Sequence, residues 1–398
     1  MADWICLIGN SLNSATAIQA LGYACHAVLD TRKDVPAAFV QQVALMASAS
    51  LQDDAAMDAG VERLIQLQGV PRAFISHTEH GYRHVARLSQ RYGLPANTPQ
   101  ALAASRDKPA MRALLNDDAR QRVDYVAGGA QAIYAQLSQR SMLDVIIKPA
   151  DGWGSRLVNH VRSAAQLAAW LEHDGPQWPR WIAEEYLPGP EFSVEVICAP
   201  SGNLLVGITE KVTSGAPHYY ETGHLFPAPS VSASLAALIF ERVSQALLRL
   251  DIRMGATHTE IRVHPQRGPL LIETHIRPGG DYISELINYA TGQDISQLSI
   301  ASVLGLALPE RVVASQGAAV YFLTQQPGFC KAVEVTGALQ EETVKKWQLD
   351  VLPGQLTQLT TDSTNRAGCV LCVAGDAQDA WAQTQAWAGQ CRVDYARP

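Results

Sequence analysis

The chain has 398 residues, 47% hydrophobic and 17% charged, the balance of an ordinary globular protein long enough for two or three domains. A formal net charge of −7 argues against a nucleic-acid-binding surface, which is basic overall, and no apolar run reaches the roughly 20 residues that span a bilayer. The seven cysteines are an odd number and scattered, which points to reduced thiols and a cytoplasmic protein; Trp4–Ile8 is too short for a signal-peptide core.

Residues 1 to about 95 alternate strands (Ile5–Gly9, His26–Leu29, Ala73–Ile75) with helices (Ser14–Leu21, Pro36–Ala47, Gly81–Tyr92), which implies a parallel sheet of Rossmann-like topology. Gly9-Asn10-Ser11 is not GxGxxG, so this unit reads as a structural domain or one lending a wall to a site. Thr98–Asn116 reads as a helix entered through Thr98-Pro99, with a second start signal at Ser105–Pro109. Lys108, inside that signal, reads on its own as a solvated lysine.

From Tyr125 to about Ile182 the pattern gives a compact unit. Strand Asp144–Pro149 carries Lys148 at its end and runs into Ala150-Asp151-Gly152-Trp153-Gly154-Ser155; strand Arg156–Val161 and helix Ala164–Glu172 follow. Two glycines beside a serine let backbone N–H groups turn together toward an anion, with Lys148 as a nearby positive charge. A plain surface hairpin loop reads equally well. Trp181–Glu195 is a strand, a Pro188-Gly189-Pro190 turn and a second strand, bearing Glu184, Glu185, Glu191 and Glu195. The second strand, Phe192–Ala199, is expected to pair with Leu204–Thr209 through Ser201-Gly202-Asn203. Glu210–Pro227 reads as a long, ordered, site-lining loop. Ala233–Leu250 is an amphipathic helix.

Gly255–Asp281 holds two short strands around the turn His264–Gly268. Paired as a hairpin, they set Glu260 close to opposite Glu273, with Arg262, His275 and Arg277 on the same face. Facing carboxylates destabilise a bare strand pair. Either a divalent cation with hard oxygen ligands bridges them, or arginines neutralise a solvated face. Helices at Ser284–Ala290 and Ser296–Leu304, strands at Ala318–Leu323, Lys331–Val335 and Cys369–Ala374, and helix Asp376–Ala388 carry no chemical signal. Cys369 and Cys372 read as buried strand residues, since no second Cys/His pair completes a zinc site.

Taken in order, a strand-end lysine with a glycine loop, an EExLxGxE stretch, two glutamates thirteen apart and an ExHxRPGGD tail resemble the ATP-grasp superfamily of carboxylate–amine ligases over about residues 95–305. Gly223-His224 with Pro227, and Arg277–Asp281, look most like L-amino acid ligases of the bacilysin and dapdiamide type, which join amino acids or small acids into dipeptides. The resemblance implies an α/β chain with the α+β ATP-grasp fold. Its expected parts are an N-terminal Rossmann-like domain (1–95), linker helices and a small lid (96–187), a catalytic ATP-grasp subdomain (188–305) and a C-terminal α+β subdomain (306–398).

It also implies roles. Lys108 and Lys148 match the lysines that contact ATP phosphates, and Gly152, Gly154 and Ser155 the loop closing over them. Glu184, Glu185 and Leu187 match the hinge that meets adenine, and Glu191 the acid that holds the ribose. Glu260 and Glu273 match the ligands of magnesium, expected as two ions with manganese as a substitute. Arg277 matches the arginine near the γ-phosphate and acyl phosphate, with Lys148 and His224 as further catalytic groups. His224, Arg277, Gly279 and Gly280 match substrate-binding positions. His275 stands where many members carry asparagine, which leaves the third metal ligand open. The implied activity is ADP-forming amide synthesis from small-molecule acid and amino-acid substrates, with no nucleic acid or membrane partner and a homodimer as a possible assembly. The alternative within the fold is a carboxylase or formyl-transfer-type enzyme of the purine-biosynthetic or biotin-carboxylase kind.

Overall fold

The computed structural model describes residues 3–78, 80–140, 143–336 and 342–396. Four parallel strands near the N-terminus lie in the order Leu45–Ala49, Ala24–Asp30, Trp4–Ile8, Phe74–Ile75. Trp4–Ile8 is buried at every position, as a strand covered on both faces must be. The Pro36–Ala47 helix expected from sequence is shorter and gives way to a strand. Only Ala37–Val40 is helical, and Leu45–Ala49 extends the sheet because alternate side chains find a buried side. A helix not anticipated, Asp54–Gln68, follows; Asp53 caps it by accepting the Ala56 N–H at 3.0 Å.

Asp107 breaks the next helical stretch in two, Pro99–Arg106 and Lys108–Leu115, by capping the second through the Ala110 N–H at 2.9 Å. Lys108 therefore opens a helix. Its N–H donates to Ala150 O at 3.0 Å, which ties that helix to the glycine loop.

A four-stranded antiparallel lid sheet runs Tyr125–Gly128, Trp181–Glu185, Val145–Pro149, Asn159–Val161. Tyr125–Gly128 was not expected as a strand, and the strand read as Arg156–Val161 is only Asn159–Val161. Ser155 and Leu157 adopt left-handed φ of 57° and 56°, which bends the chain out of extended geometry. Trp170 and Trp181 meet edge to face in the lid core.

The eight-stranded sheet carries the site. Its order is Gly268–His275, Gly255–His264, Glu191–Cys198, Leu204–Thr213, Glu221–Phe226, Gly317–Leu323, Gly368–Ala374, Val344–Leu349, every neighbouring pair antiparallel. The expected hairpin between Glu191–Cys198 and Leu204–Thr213 is present. Glu210–Pro227, however, is no loop: two strands pair with Lys211 opposite His224, and only 214–220 connects them. Polar side chains that face a cleft disguise these strands as loop sequence. Helix Ala233–Arg249 covers one face and helices Ile283–Thr291 and Ile295–Val303 the other. A small sheet, Leu356–Thr357, Gly328–Val335, Cys391–Ala396, lies beyond. Among the described residues no helix is long and apolar enough to cross a membrane.

Gly189 fixes the approach of Glu191. Its φ is 114°, and a Cβ there would lie 2.1 Å from Val263 O, while Pro190 O accepts the Val263 N–H at 3.0 Å. Gly189→Ala is expected to lose about 1–3 kcal/mol of stability. A thermal-unfolding midpoint equal to wild type would contradict this packing.

Candidate active site

The hairpin register places Glu260 directly opposite Glu273. Both side chains are largely buried, and each is held by a cation. Lys108 Nζ is 3.0 Å from Glu273, and Lys211 Nζ is 2.8 Å from Glu260. Lys211, unrecognised in the sequence, also reaches Glu191 at 2.7 Å and Glu221 at 3.1 Å. One ammonium thus serves three strands. Burial opposes its charge, but the three carboxylates hold its pKa well above the usual lysine value. Burial likewise pushes Glu273 up; Lys108 and then His275 more than offset it, leaving the carboxyl well below the usual range.

Lys148 ends its lid strand 2.7 Å from Glu184. Glu184 is buried and also paired with the fully buried Arg112, another residue the sequence left unmarked. Burial raises Glu184, and Arg112 and Lys148 bring its pKa down to about 2. Its carboxylate is committed to holding these two cations, so any contact it makes with a base runs through its backbone. Glu185 pairs with Arg267 at 2.9 Å. Glu191 is bracketed by Lys211 and by Arg262, whose Nη1 also donates to Leu187 O at 2.9 Å.

These residues enclose a cleft of about 830 Å³, lined by Lys108, Lys148, the Gly152–Ser155 loop, Glu184–Leu187, Glu191, Glu260 and Glu273. A second cavity of about 860 Å³ is lined by Lys211, Glu221, His224, His275, Arg277, Gly280 and Asp281. Trp153, Gly154, Ser155, Glu260 and Glu273 line both. The two spaces therefore meet at the paired carboxylates under the glycine loop. All the expected site residues except Gly279 line one space or the other; the Gly279 N–H donates to the buried Glu195 at 3.0 Å.

His224 is on strand Glu221–Phe226, buried, with both ring nitrogens without hydrogen-bond partners and an edge against Phe322. Burial lowers its pKa to about 4, so the ring is neutral. His258 is the opposite case: burial lowers it, but Glu195, 2.5 Å from Nδ1, brings its pKa up to about 9. His275 Nε2 is 3.2 Å from Glu273 Oε1, so that nitrogen is engaged with a carboxylate. The C-terminal region, silent in the sequence, supplies Ser363 and Thr364 to the second cavity. It also supplies Arg366, which pairs with Asp281 at 2.6 Å and stacks 3.6 Å over Phe322.

The donor set fits magnesium in one specific sense. Two carboxylates in register offer hard oxygen ligands at the junction of the two spaces. Among the described residues no group of three or more His, Cys, Asp or Glu could hold a metal ion, so the protein's own ligands would be these two carboxylates.

Residues 141–285 match the model of the ATP-grasp domain family. The uncharacterized protein y4rH of Sinorhizobium fredii is 24% identical over 316 residues, 75% of this chain and 63% of that protein. The ATP-grasp enzyme fsqD of Aspergillus fumigatus is 24% identical over 277 residues, 60% of this chain and 47% of that one. The chain thus matches less than two-thirds of either relative's length. An L-amino acid ligase from Bacillus licheniformis superimposes over 100% of both chains with a TM-score of 0.82 at 19% identity, a likeness of fold. Residues 141–285 are thus similar to the ATP-grasp domain family, and the chain has the ATP-grasp fold.

Lys211→Met tests the electrostatic core. Burial pushes Glu260 and Glu221 up, and Lys211 more than offsets it, so both carboxyls lie below the usual range. Without the ammonium they bind protons more readily folded than unfolded, so the loss deepens as pH rises. The variant is expected to lose about 3–5 kcal/mol at pH near 7 and distinctly less at pH near 4, below the ordinary carboxyl pKa. Denaturant unfolding that gives the same deficit at both pH values would contradict the assignment.

Proposed function

We propose that the chain is an ATP- and magnesium-dependent ligase that joins a small carboxylic acid or amino acid to an amino acid as an amide, releasing ADP and phosphate. The observation that carries this reading is the junction of two cavities at Glu260 and Glu273 beneath a glycine loop. One space has the cations and backbone for a nucleotide; the other has the polar groups for an acid and an amine.

A carboxylate is a poor electrophile, so amide formation needs an activated acyl group. Transfer of the γ-phosphoryl forms an oxygen–phosphorus bond to the carboxylate, breaks the bridge to the β-phosphate and releases ADP. The amine then attacks the acyl carbon, the carbon–nitrogen bond forms, phosphate leaves and the amine nitrogen gives up a proton. Phosphoryl transfer depends chiefly on positioning and charge neutralisation.

In this chain Lys148 is fixed by Glu184, and Lys108 exchanges Glu273 for phosphate oxygens as the nucleotide enters. The backbone N–H groups of Gly152–Ser155 close over the phosphates and exclude water from the acyl phosphate. Glu191, steadied by Arg262, faces the ribose. Arg277 lies on the side where acyl and phosphoryl oxygens gather negative charge. Neutral His224 offers a hydrogen bond to the acid or amine. Glu260 and Glu273 would hold magnesium, which supplies compact positive charge to the phosphates.

The test is phosphate release with ATP, magnesium and pairwise amino acids, with mass spectrometry of the product. ADP and an amide are expected; AMP with pyrophosphate, or turnover that responds to bicarbonate and not to amino acids, would sink the reading. Glu273→Ala is expected to lower turnover at least about a hundredfold, and full activity in that variant would remove Glu273 from the metal site.

A further inference from the structure

Asp144, His160 and Tyr219 form a hydrogen-bonded chain at the rim of the nucleotide cleft that the chemistry above leaves unused. His160 belongs to lid strand Asn159–Val161, and its side chain is only 8% exposed. Its Nε2 is 2.6 Å from Asp144 Oδ1 and its Nδ1 is 2.6 Å from the Tyr219 hydroxyl. A carboxylate only accepts, so Nε2 donates to Asp144, and Nδ1 and the Tyr219 hydroxyl share the second hydrogen bond.

One link, His160 to Tyr219, crosses between two sheets, while Asp144 flanks the lid strand that pairs with the strand of His160. Asp144 precedes lid strand Val145–Pro149, whereas Tyr219 lies on the 214–220 connection of the central sheet. Tyr219 has φ of 56°, a conformation a bulky residue keeps only when its surroundings fix it. The same residues reach the cleft floor. The His160 ring stacks on Tyr186 at 4.3 Å and 22°, and the Tyr186 N–H donates to Asp144 O at 2.9 Å. Arg262, which grips Glu191, lies 5.5 Å over the Tyr186 ring. Tyr186 and Tyr219 both line the cleft.

We infer that Asp144, His160 and Tyr219 are a latch that holds the lid against the central sheet and so sets the affinity for nucleotide. His160 and Asp144 are positioning residues, acting through Tyr219 and Tyr186. This rests on reading the cleft as a nucleotide site. The His160–Tyr219 bond exists only with the lid seated and favours that state, with Asp144 orienting the ring for it, and losing that bond lowers affinity by depopulating the seated state. The loss appears mainly as faster release.

The experiment is binding of ATP with magnesium to the full chain, by calorimetry for affinity and stopped flow for release. Tyr219→Phe, which keeps the ring, and His160→Gln are each expected to weaken binding about three- to tenfold, through faster release. The double variant is expected to be little worse than the worse single, because both cut one chain of bonds. Asp144→Asn retains an acceptor for Nε2–H and is expected to recover most of the affinity that Asp144→Ala loses. Nucleotide-free unfolding temperatures stay at the wild-type value in Tyr219→Phe and His160→Gln. Wild-type affinity and release in those two variants, fully additive losses, or losses that track a lowered unfolding temperature overturn the latch. A wild type that binds no ATP overturns the nucleotide reading and the latch together. A wild type that binds ATP but forms no amide sinks only the ligase reading, and the variants still decide the latch.

Discussion

Two carboxylates set opposite each other on antiparallel strands repel, and in a largely buried position they repel strongly. Glu260 and Glu273 are such a pair, and much of the surrounding architecture answers that constraint. Lys211 comes from one neighbouring hairpin and Lys108 from the start of a helix, each seated on one glutamate. Glu191 and Glu221, which would add to the repulsion, share Lys211. The network keeps an anionic face folded.

The same pair stands where the two spaces meet. The first cleft is walled by the lid and by Glu184–Leu187, the second cavity by strand Glu221–Phe226, Arg277–Asp281 and the C-terminal Ser363 and Thr364. Only the glycine loop and the two glutamates belong to both. At that junction two ammonium groups, Lys108 and Lys211, are seated against the carboxylates. Glu184 performs the matching task in the lid, holding Lys148 and Arg112 in place with one buried carboxylate.

What the sequence disclosed divides by range. The hairpin register, Lys148 at its strand end and the glycine loop were legible because each depends on residues within a turn or two of one another. Lys211 and Arg112 were not, because their roles come from carboxylates 49 and 72 residues away that only the sheet brings near. Strand Glu221–Phe226 read as loop because its cleft-facing residues are polar, which inverts the usual link between burial and hydrophobicity. Leu45–Ala47 read as the end of a helix because leucine, methionine and alanine favour helices until a sheet edge offers backbone partners. Ser363 and Arg366 lie in a stretch with no periodic pattern, and their place against Glu221 and Asp281 is wholly tertiary.

The acyl-phosphate route has one signature that geometry cannot imitate: the origin of an oxygen atom. If the acid is supplied with its carboxyl oxygens labelled with heavy oxygen, one labelled atom moves to phosphorus when the acyl phosphate forms and leaves with it when the amine attacks. Mass spectrometry of the released phosphate should find one heavy oxygen per molecule, matched to amide formed. Unlabelled phosphate released alongside the amide would contradict transfer at the junction of the two cavities.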